Sequence, residues 1–417
     1  MTQSLISVAE AKVLTGAHVL RLPCTRMLLG DALGLVLAED VIAPLNMPGF
    51  NQSAMDGYAF SWEGFIQNGA LAIVGEVAAG AAEAGPRPAP NQAVRIFTGA
   101  PVPDGFDTVV MQEKVSVSQG VLHILDEGLV QGRNVRLVGS EIAEGALAMQ
   151  SGTPLTPAAI GFLASLGITQ VSVIPAPTIA LVVTGDELQT PGVALTFGQV
   201  YESNSQLLQA ALQWLRFSQV KIHYTKDDLD SLTRTLSAAI EVSDLVLLTG
   251  GVSVGDYDFV PKAAAAAGVE TVFHKIKQKP GKPLFFGVKK GAHAKSEIGS
   301  ANQTVVFGLP GNPASVLTCF YQYVTLALEK LSGRSVTMKP CRAQLQSDYQ
   351  KPAGLTHFLK ADLHAAADEH SFSTVFLMGA QESFRLSSFA VSNAIVEIPA
   401  ETTRVEKGDW VNVYPIQ

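Results

Sequence analysis

Hydrophobic and polar positions alternate with different periods in successive parts of the chain. In the first 50 residues, SVAEAKVL and LGDALGLVLAEDV carry apolar residues at three- and four-residue intervals, which predicts helix over both. From about residue 71 to 137 the runs shorten to LAIVGEV, AVRIFTG, TVVMQEKVSV, VLHIL and NVRLV, rich in Val and Ile and separated by Pro101, Pro103, Gly105 and Gly120. That texture predicts a small all-β module. Thr156 as N-cap, Pro157 in the first turn and Gly167 after the last turn then punctuate a helix, followed by the strand ITQVSVIP.

Between residues 178 and 335 strands and helices alternate: TIALVVTG, a helix from about 205 to 214, QVKIHYT, a helix from about 229 to 241, DLVLLTGG, the Ala-rich PKAAAAA, then TVFHKIK, PLFFGV, TVVFGLPG and a long helix from Pro313. Continuously apolar strands in such an alternation predict a mainly parallel sheet covered by helices on both faces, with its ligand site beyond the carboxyl ends of the strands. From about residue 341 the texture returns to β, as in a small terminal barrel.

Length and composition narrow the classes. At about 150 residues per domain, 417 residues suggest roughly three domains. Charged residues make up 16 % and hydrophobic ones 47 %, which points to extensive buried surface. A net charge of -8 argues against binding nucleic acid or anionic lipid over the whole surface. Two long charge-free stretches, 145–185 and 301–328, are cut by Pro and Gly or interrupted by Thr and Gln, so buried soluble helices explain them better than membrane spans. MTQSLISVAEAK has no basic segment followed by an apolar one, so no signal peptide is expected. The three cysteines share no metal spacing, which fits a reducing cytoplasm.

Candidate chemistry gathers where strands of the α/β segment end. TIALVVTG runs into Asp186 and Glu187, two carboxylates suited to Mg²⁺; the alternative is an acidic helix N-terminus. GGVSVGDYD sets Gly250, Gly251, Ser253 and Gly255 beside Asp258 after an apolar strand, a pattern for a phosphate or metal loop or, more plainly, a tight turn. HKIKQKPGKPLFFG holds Lys275, Lys277, Lys279 and Lys282 within eight residues. If 275–279 is extended, its first three lysines share one face and Pro280-Gly281 turns Lys282 back toward them, an anion site or a lysine-blunted edge strand. GLPGNPASV joins a buried strand to the long helix, with Asn312 at the N-cap and Pro313 in the first turn. MPGFNQSAMDGYAF and RIFTGAPVPDG, read alone, are turns. No HExxH is present and the eight histidines are scattered, which disfavours a zinc hydrolase.

NQSAMDGYA, RIFTGAPVP, VVMQE, TGDEL, GGVSVGDYD, KPGKP and GLPGNP, in this order, resemble the molybdopterin molybdenumtransferase family, to which the C-terminal domain of gephyrin is also related. The resemblance implies a multi-domain α/β plus β fold. Its domains would be a discontinuous elongated one (1–50 with 139–177), an inserted β domain (51–138), an α/β molybdopterin-binding domain (178–336) and a C-terminal β-barrel (337–417). It implies a homodimer whose site is shared between subunits, and insertion of molybdate into adenylylated molybdopterin with Mg²⁺ and release of AMP. Asp56, Glu187, Asp258, Lys275 and Lys279 would be catalytic. Thr98, Asp228, Gly250, Gly251, Ser253, Gly255, Lys282, Pro310, Pro313 and Ser383 would bind substrate, with Asp56 and Thr98 reaching the partner's cleft. Asp186, Glu187 and Asp258 would hold the metal, and the molybdopterin adenylyltransferase is a possible further partner.

The chain departs from the family's pattern at residues 136–141, where one acidic and two basic groups are missing, at Tyr201-Glu202-Ser203-Asn204-Ser205, and in the barrel loop GAQESFRLSSF. These departures leave open a specialised paralogue or a non-catalytic dimeric scaffold. An adenylylating enzyme is a further alternative.

Overall fold

Within the apolar strands of the α/β segment, successive side chains point to opposite faces, and each face buries against its own layer of helices. A computed structural model describes residues 5–81, 87–251, 259–291, 303–366, 368 and 371–416. The chain divides into two compact units, one of Arg26–Ser172 and one that joins the residues up to Thr25 with those from Val173 onward.

The second unit is built on a six-stranded sheet in the order Val220–Thr225, Ile179–Thr184, Leu245–Thr249, Gln303–Leu309, Phe285–Lys290, Glu270–His274. The first four strands are parallel, and each of the last two runs antiparallel to its inner neighbour. Ile179, Leu181, Leu245, Leu247, Val305 and Phe307 face one layer, against Leu208 and Leu212 of helix Asn204–Trp214, Val316 and Phe320 further on, and Val8 and Ala11 of helix Val8–His18. Ala180, Val182, Val246, Leu248 and Val306 face the other, against Leu232 and Leu236 of helix Leu229–Val242 and Val260 and Ala263 of helix Phe259–Ala266. The helical stretch after Pro313 is α over Pro313–Cys319, π over Phe320–Val324 and α again over Thr325–Ser332. Among the described residues no helix is long and apolar enough to cross a membrane.

The same unit carries a closed five-stranded barrel. Thr356–His364 pairs with both Thr374–Leu377 and Ala394–Ile398, and Cys341–Leu345 and Trp410–Pro415 complete the ring. One short strand of the lysine-rich segment, Gln278–Lys279, is added to the barrel beside Thr356 and His357. The lysines are thereby tied to the α/β sheet at one end and to the barrel at the other.

The Arg26–Ser172 unit holds a six-stranded sheet in the order Thr108–Met111, Gly57–Phe60, Gln92–Ile96, Leu71–Val77, Val121–Ile124, Val115–Ser118, as the β texture predicts. Neighbouring residues bury on opposite faces: Ala59, Val94 and Val109 in one cluster, Phe60, Ala93 and Val110 in another. Outside this sheet, Val41–Ile42 pairs with Leu147–Met149 and Gln52–Ser53 with Val135–Arg136. The helix punctuated by Thr156 and Gly167 forms as Pro157–Ser165, with Thr156 Oγ1 accepting from the Ala159 N–H.

The second helix expected in the first 50 residues does not form. LGDALGLVLAEDV folds as a single 3₁₀ turn, Leu29–Asp31, and short strands Val36–Leu37 and Val41–Ile42. Glycines weaken a helix, and Gly34 adopts a φ of 78°, which ends any helical turn there. The following backbone bonds elsewhere, the Leu37 N–H to the Thr153 carbonyl and the Leu155 N–H to the Leu35 carbonyl.

Phe307 is fully buried with its ring centroid 4.8 Å from that of Phe286. Phe307→Ala is expected to lower unfolding stability by about 3–5 kcal/mol, read as a fall in the urea midpoint.

Candidate active site

The parallel strands place four carboxylates at their carboxyl ends. Ile179–Thr184 leads into Gly185, Asp186 and Glu187, and Val220–Thr225 leads into Asp227 and Asp228. No helix follows Asp186 and Glu187: Leu188–Gln189 pairs with Val200–Tyr201 instead. Asp228 caps helix Leu229–Val242, accepting from the Ser231 N–H at 2.8 Å. Asp227 Oδ1 accepts from Thr184 Oγ1 at 3.1 Å. Burial first, then the charges of Asp186, Glu187 and Asp228, push the Asp227 carboxyl above its ordinary value, despite that hydrogen bond. Gly250 closes the rim: at φ 90° its backbone comes so near that a Cβ would sit 1.9 Å from the Thr184 carbonyl oxygen.

The lysine segment does not run extended. Glu270–His274 ends at Lys275, which adopts a φ of 74°, and this breaks the period of two expected for 275, 277 and 279. The segment turns back on itself: the Lys275 N–H donates to the Leu284 carbonyl and the Ile276 N–H to the Lys282 carbonyl, both at 2.9 Å. Lys279 and Lys282 lie in the wall of a cleft of about 860 Å³, whereas Lys275 is not part of that wall. Glu187, Tyr201, Glu202 and Asn204 form another side, and the turn Pro310–Pro313 with Ser383 and Phe384 completes it. Asp186 lines an adjoining recess of about 360 Å³ that shares Leu188 and Glu202 with the cleft.

The barrel contributes its wall through a buried ammonium. Lys360, 4 % exposed, donates from Nζ to the carbonyls of Ala380 at 2.7 Å, Arg385 at 3.0 Å and Glu382 at 3.3 Å. Desolvation lowers its pKa, with Glu382 opposing that shift and Arg385 adding to it. The loop so held meets the start of the last helix. Asn312 occupies the expected N-cap position but makes no capping bond; its Nδ2 donates to Ser383 Oγ at 2.9 Å. The Ala314 N–H donates to the Ser383 carbonyl instead.

In the Arg26–Ser172 unit, Asp56 and Thr98 come together although 42 residues separate them. The Thr98 N–H and Oγ1 both donate to Asp56 Oδ1 at 2.8 Å, and these bonds, with Arg95 nearby, hold the exposed carboxyl below its ordinary value.

Comparison with known proteins covers nearly the whole chain. Residues 6–167 match the family model of the MoeA N-terminal region (domain I and II), 180–330 that of a probable molybdopterin binding domain, and 342–416 that of the MoeA C-terminal region (domain IV). The molybdopterin molybdenumtransferase of Haemophilus influenzae is 33 % identical over 389 residues, 93 % of this chain and 92 % of that protein. The chain belongs to the molybdopterin molybdenumtransferase family. Molybdopterin molybdenumtransferase 2 of Mycobacterium tuberculosis is also 33 % identical, over 401 residues, covering 93 % and 94 % of the two chains. A crystal structure of a molybdopterin biosynthesis MoeA protein from Pyrococcus horikoshii superposes with a TM-score of 0.81 at 26 % identity, over 99 % of this chain and all of that one.

For this family member, Glu187, Lys279, Lys282, Pro310, Pro313 and Ser383 converge on one cleft. Asp186 and Asp228 lie on the neighbouring acidic rim with Gly250 and Gly251, whose Cβ would come within 3.5 Å of Asp227 Oδ1. Ser253, Gly255 and Asp258 lie outside the described residues. Among the described residues no three His, Cys, Asp or Glu side chains group closely enough to hold a metal by themselves. The donors present nevertheless fit Mg²⁺. Asp186 and Glu187 offer hard oxygens on an acidic rim shared with Asp227 and Asp228, and Mg²⁺ is commonly held by one or two carboxylates, water and a substrate phosphate. Sequence reasoning missed Asp227, Gln278, Asn204, Gln381 and Phe384. Of these, only Asp227 carries a readable signal, an acid at a strand end beside an N-cap.

A raised carboxyl pKa means that ionising Asp227 costs stability, and this cost grows as pH rises above the 3.8 of an ordinary aspartate. In EDTA, Asp227→Asn is therefore expected to have a higher urea midpoint than the wild type at pH 7, and the difference should vanish as pH falls toward 3.8.

Proposed function

We propose that this protein inserts molybdate into the dithiolene of adenylylated molybdopterin and releases AMP and molybdenum cofactor. The observation that supports it most is the pairing of Lys279 and Lys282 with Glu187 around one cleft of about 860 Å³, in a chain with only 29 basic residues. The substrate is a pyrophosphate-linked nucleotide, so its reacting group is anionic. The bond that breaks is a phosphoanhydride P–O bond. The new P–O bond is made by an oxygen of molybdate or of water to the pterin-side phosphorus, with AMP as the leaving group, so no side-chain nucleophile is required. At molybdenum the two dithiolene sulfurs replace one oxygen, which leaves as water with the two thiol protons.

Negative charge develops on the departing AMP phosphate, where Lys279 and Lys282 are placed to meet it. Mg²⁺, when bound at Asp186, Glu187 and Asp258, supplies further neutralisation of the phosphate oxygens. Pro310–Pro313 and Phe384 offer apolar surface to the pterin or purine ring, and Asn204 and Ser383 offer polar contacts at their edge. In this reading the protein works as a cytoplasmic homodimer. The partner subunit's Asp56 and the partner subunit's Thr98 complete the cleft, and a molybdopterin adenylyltransferase delivers the substrate.

Purified protein given adenylylated molybdopterin should release AMP only when both Mg²⁺ and molybdate are present; no release, or release indifferent to molybdate, contradicts the proposal. Lys279→Ala is expected to lower kcat/KM by about 10²–10³-fold without altering the urea midpoint.

A further inference from the structure

We infer that Gln278 and Tyr323 are positioning residues that hold the turn bearing Lys279 and Lys282 in its anion-binding shape; this rests on the reading of the cleft as a phosphate site. Gln278 lies between two lysines in sequence, yet it is fully buried. A buried amide that lacks partners is costly, so its bonds indicate what it does. Its Nε2 donates to the Pro280 carbonyl at 3.0 Å and the Gly281 carbonyl at 3.3 Å, and its Oε1 accepts from the Tyr323 hydroxyl. The amide can face only this way, because two carbonyl oxygens demand N–H groups.

The backbone bonds from Ile276 to Lys282 and from Lys275 to Leu284 close the neck of this loop, and the Gln278 side chain fills its interior. The loop is also clamped from outside. Gly281 adopts a φ of 86°, and a Cβ there would lie 2.5 Å from Cys319 Sγ and 2.8 Å from Gln278 Nε2. The Pro280 and Gly281 carbonyls are held by the Gln278 amide and Gln278–Lys279 is paired to the barrel, and the side chains of Lys279 and Lys282 line the cleft wall.

Tyr323 reaches Gln278 from the π-helical stretch Phe320–Val324, the one widened part among the described helices. Such single π turns often occur at functional sites, since the extra residue re-aims the side chains around it. Tyr323 is fully buried, and burial keeps its phenol protonated well beyond the usual range, so it remains a donor at every working pH.

The test uses the protein as purified, with Tyr323→Phe, which removes one hydroxyl, and Gln278→Met, which keeps the volume but not the bonds. Amide hydrogen exchange is read at Lys279, Gly281 and Lys282, and inorganic pyrophosphate binding is read by calorimetry in Mg²⁺. Both variants are expected to exchange faster at those three amides, with helix Leu229–Val242 unchanged, and to bind pyrophosphate about tenfold more weakly. Unchanged exchange at the turn, unchanged pyrophosphate affinity, or a wild type that binds no pyrophosphate overturns the inference. A purely structural role would lower the urea midpoint and leave that affinity intact. Molybdate-dependent AMP release by the wild type, measured separately, decides the function on its own.

Discussion

Positive charge is scarce in this chain, and a cleft that receives an anion must keep that charge uncompensated and in place. Lysines repel one another and are stabilised by water, so two of them remain on a cleft wall only if the backbone beneath them has no freedom to turn them away. The loop 276–282 meets that condition. Its neck is closed by two backbone hydrogen bonds, its interior is filled by the Gln278 amide, and its outer surface packs on Cys319. One strand of it belongs to the barrel ladder and the chain on either side to the α/β sheet. The α/β sheet and the barrel are thus joined at the lysines.

The opposite charge is separated from the lysines by topology rather than by distance along the chain. Parallel strands deliver Asp186, Glu187, Asp227 and Asp228 to one rim, and burial first, with the neighbouring acids adding to it, raises the Asp227 carboxyl. The described ion pairs do not include these acids with Lys279 or Lys282. A negative rim beside a positive turn suits a substrate that is itself an anion accompanied by a divalent cation, each finding its counter-charge without the protein first neutralising itself. On the barrel side His357 is pushed down to about 4, by burial first and then by Lys351 and Lys279, so it stays neutral at physiological pH.

The α/β sheet, the β module and the barrel were legible because continuous or alternating apolar runs have few ways to bury themselves. The cap at Thr156 and the turn at Gly167 were legible because their residue types have few other uses. Residues 29–41 misled because apolar spacing alone does not register that Gly34 prefers a left-handed turn. The lysine cluster stood out at about seven times its expected density, but its shape did not. A non-glycine left-handed residue at Lys275 has no local signature, and neither does a buried glutamine among lysines. Asn312 looked like a helix cap and instead binds a serine 71 residues away, a choice made by tertiary packing.

The central claim is that Lys279 and Lys282 hold the phosphates of an adenylylated pterin. A crystal structure of the protein with AMP and Mg²⁺ tests it most directly. The phosphate is expected within hydrogen-bond distance of Lys279 Nζ or Lys282 Nζ, with the nucleotide lying along Pro310–Pro313. AMP bound elsewhere, or a phosphate that contacts neither lysine, would contradict it.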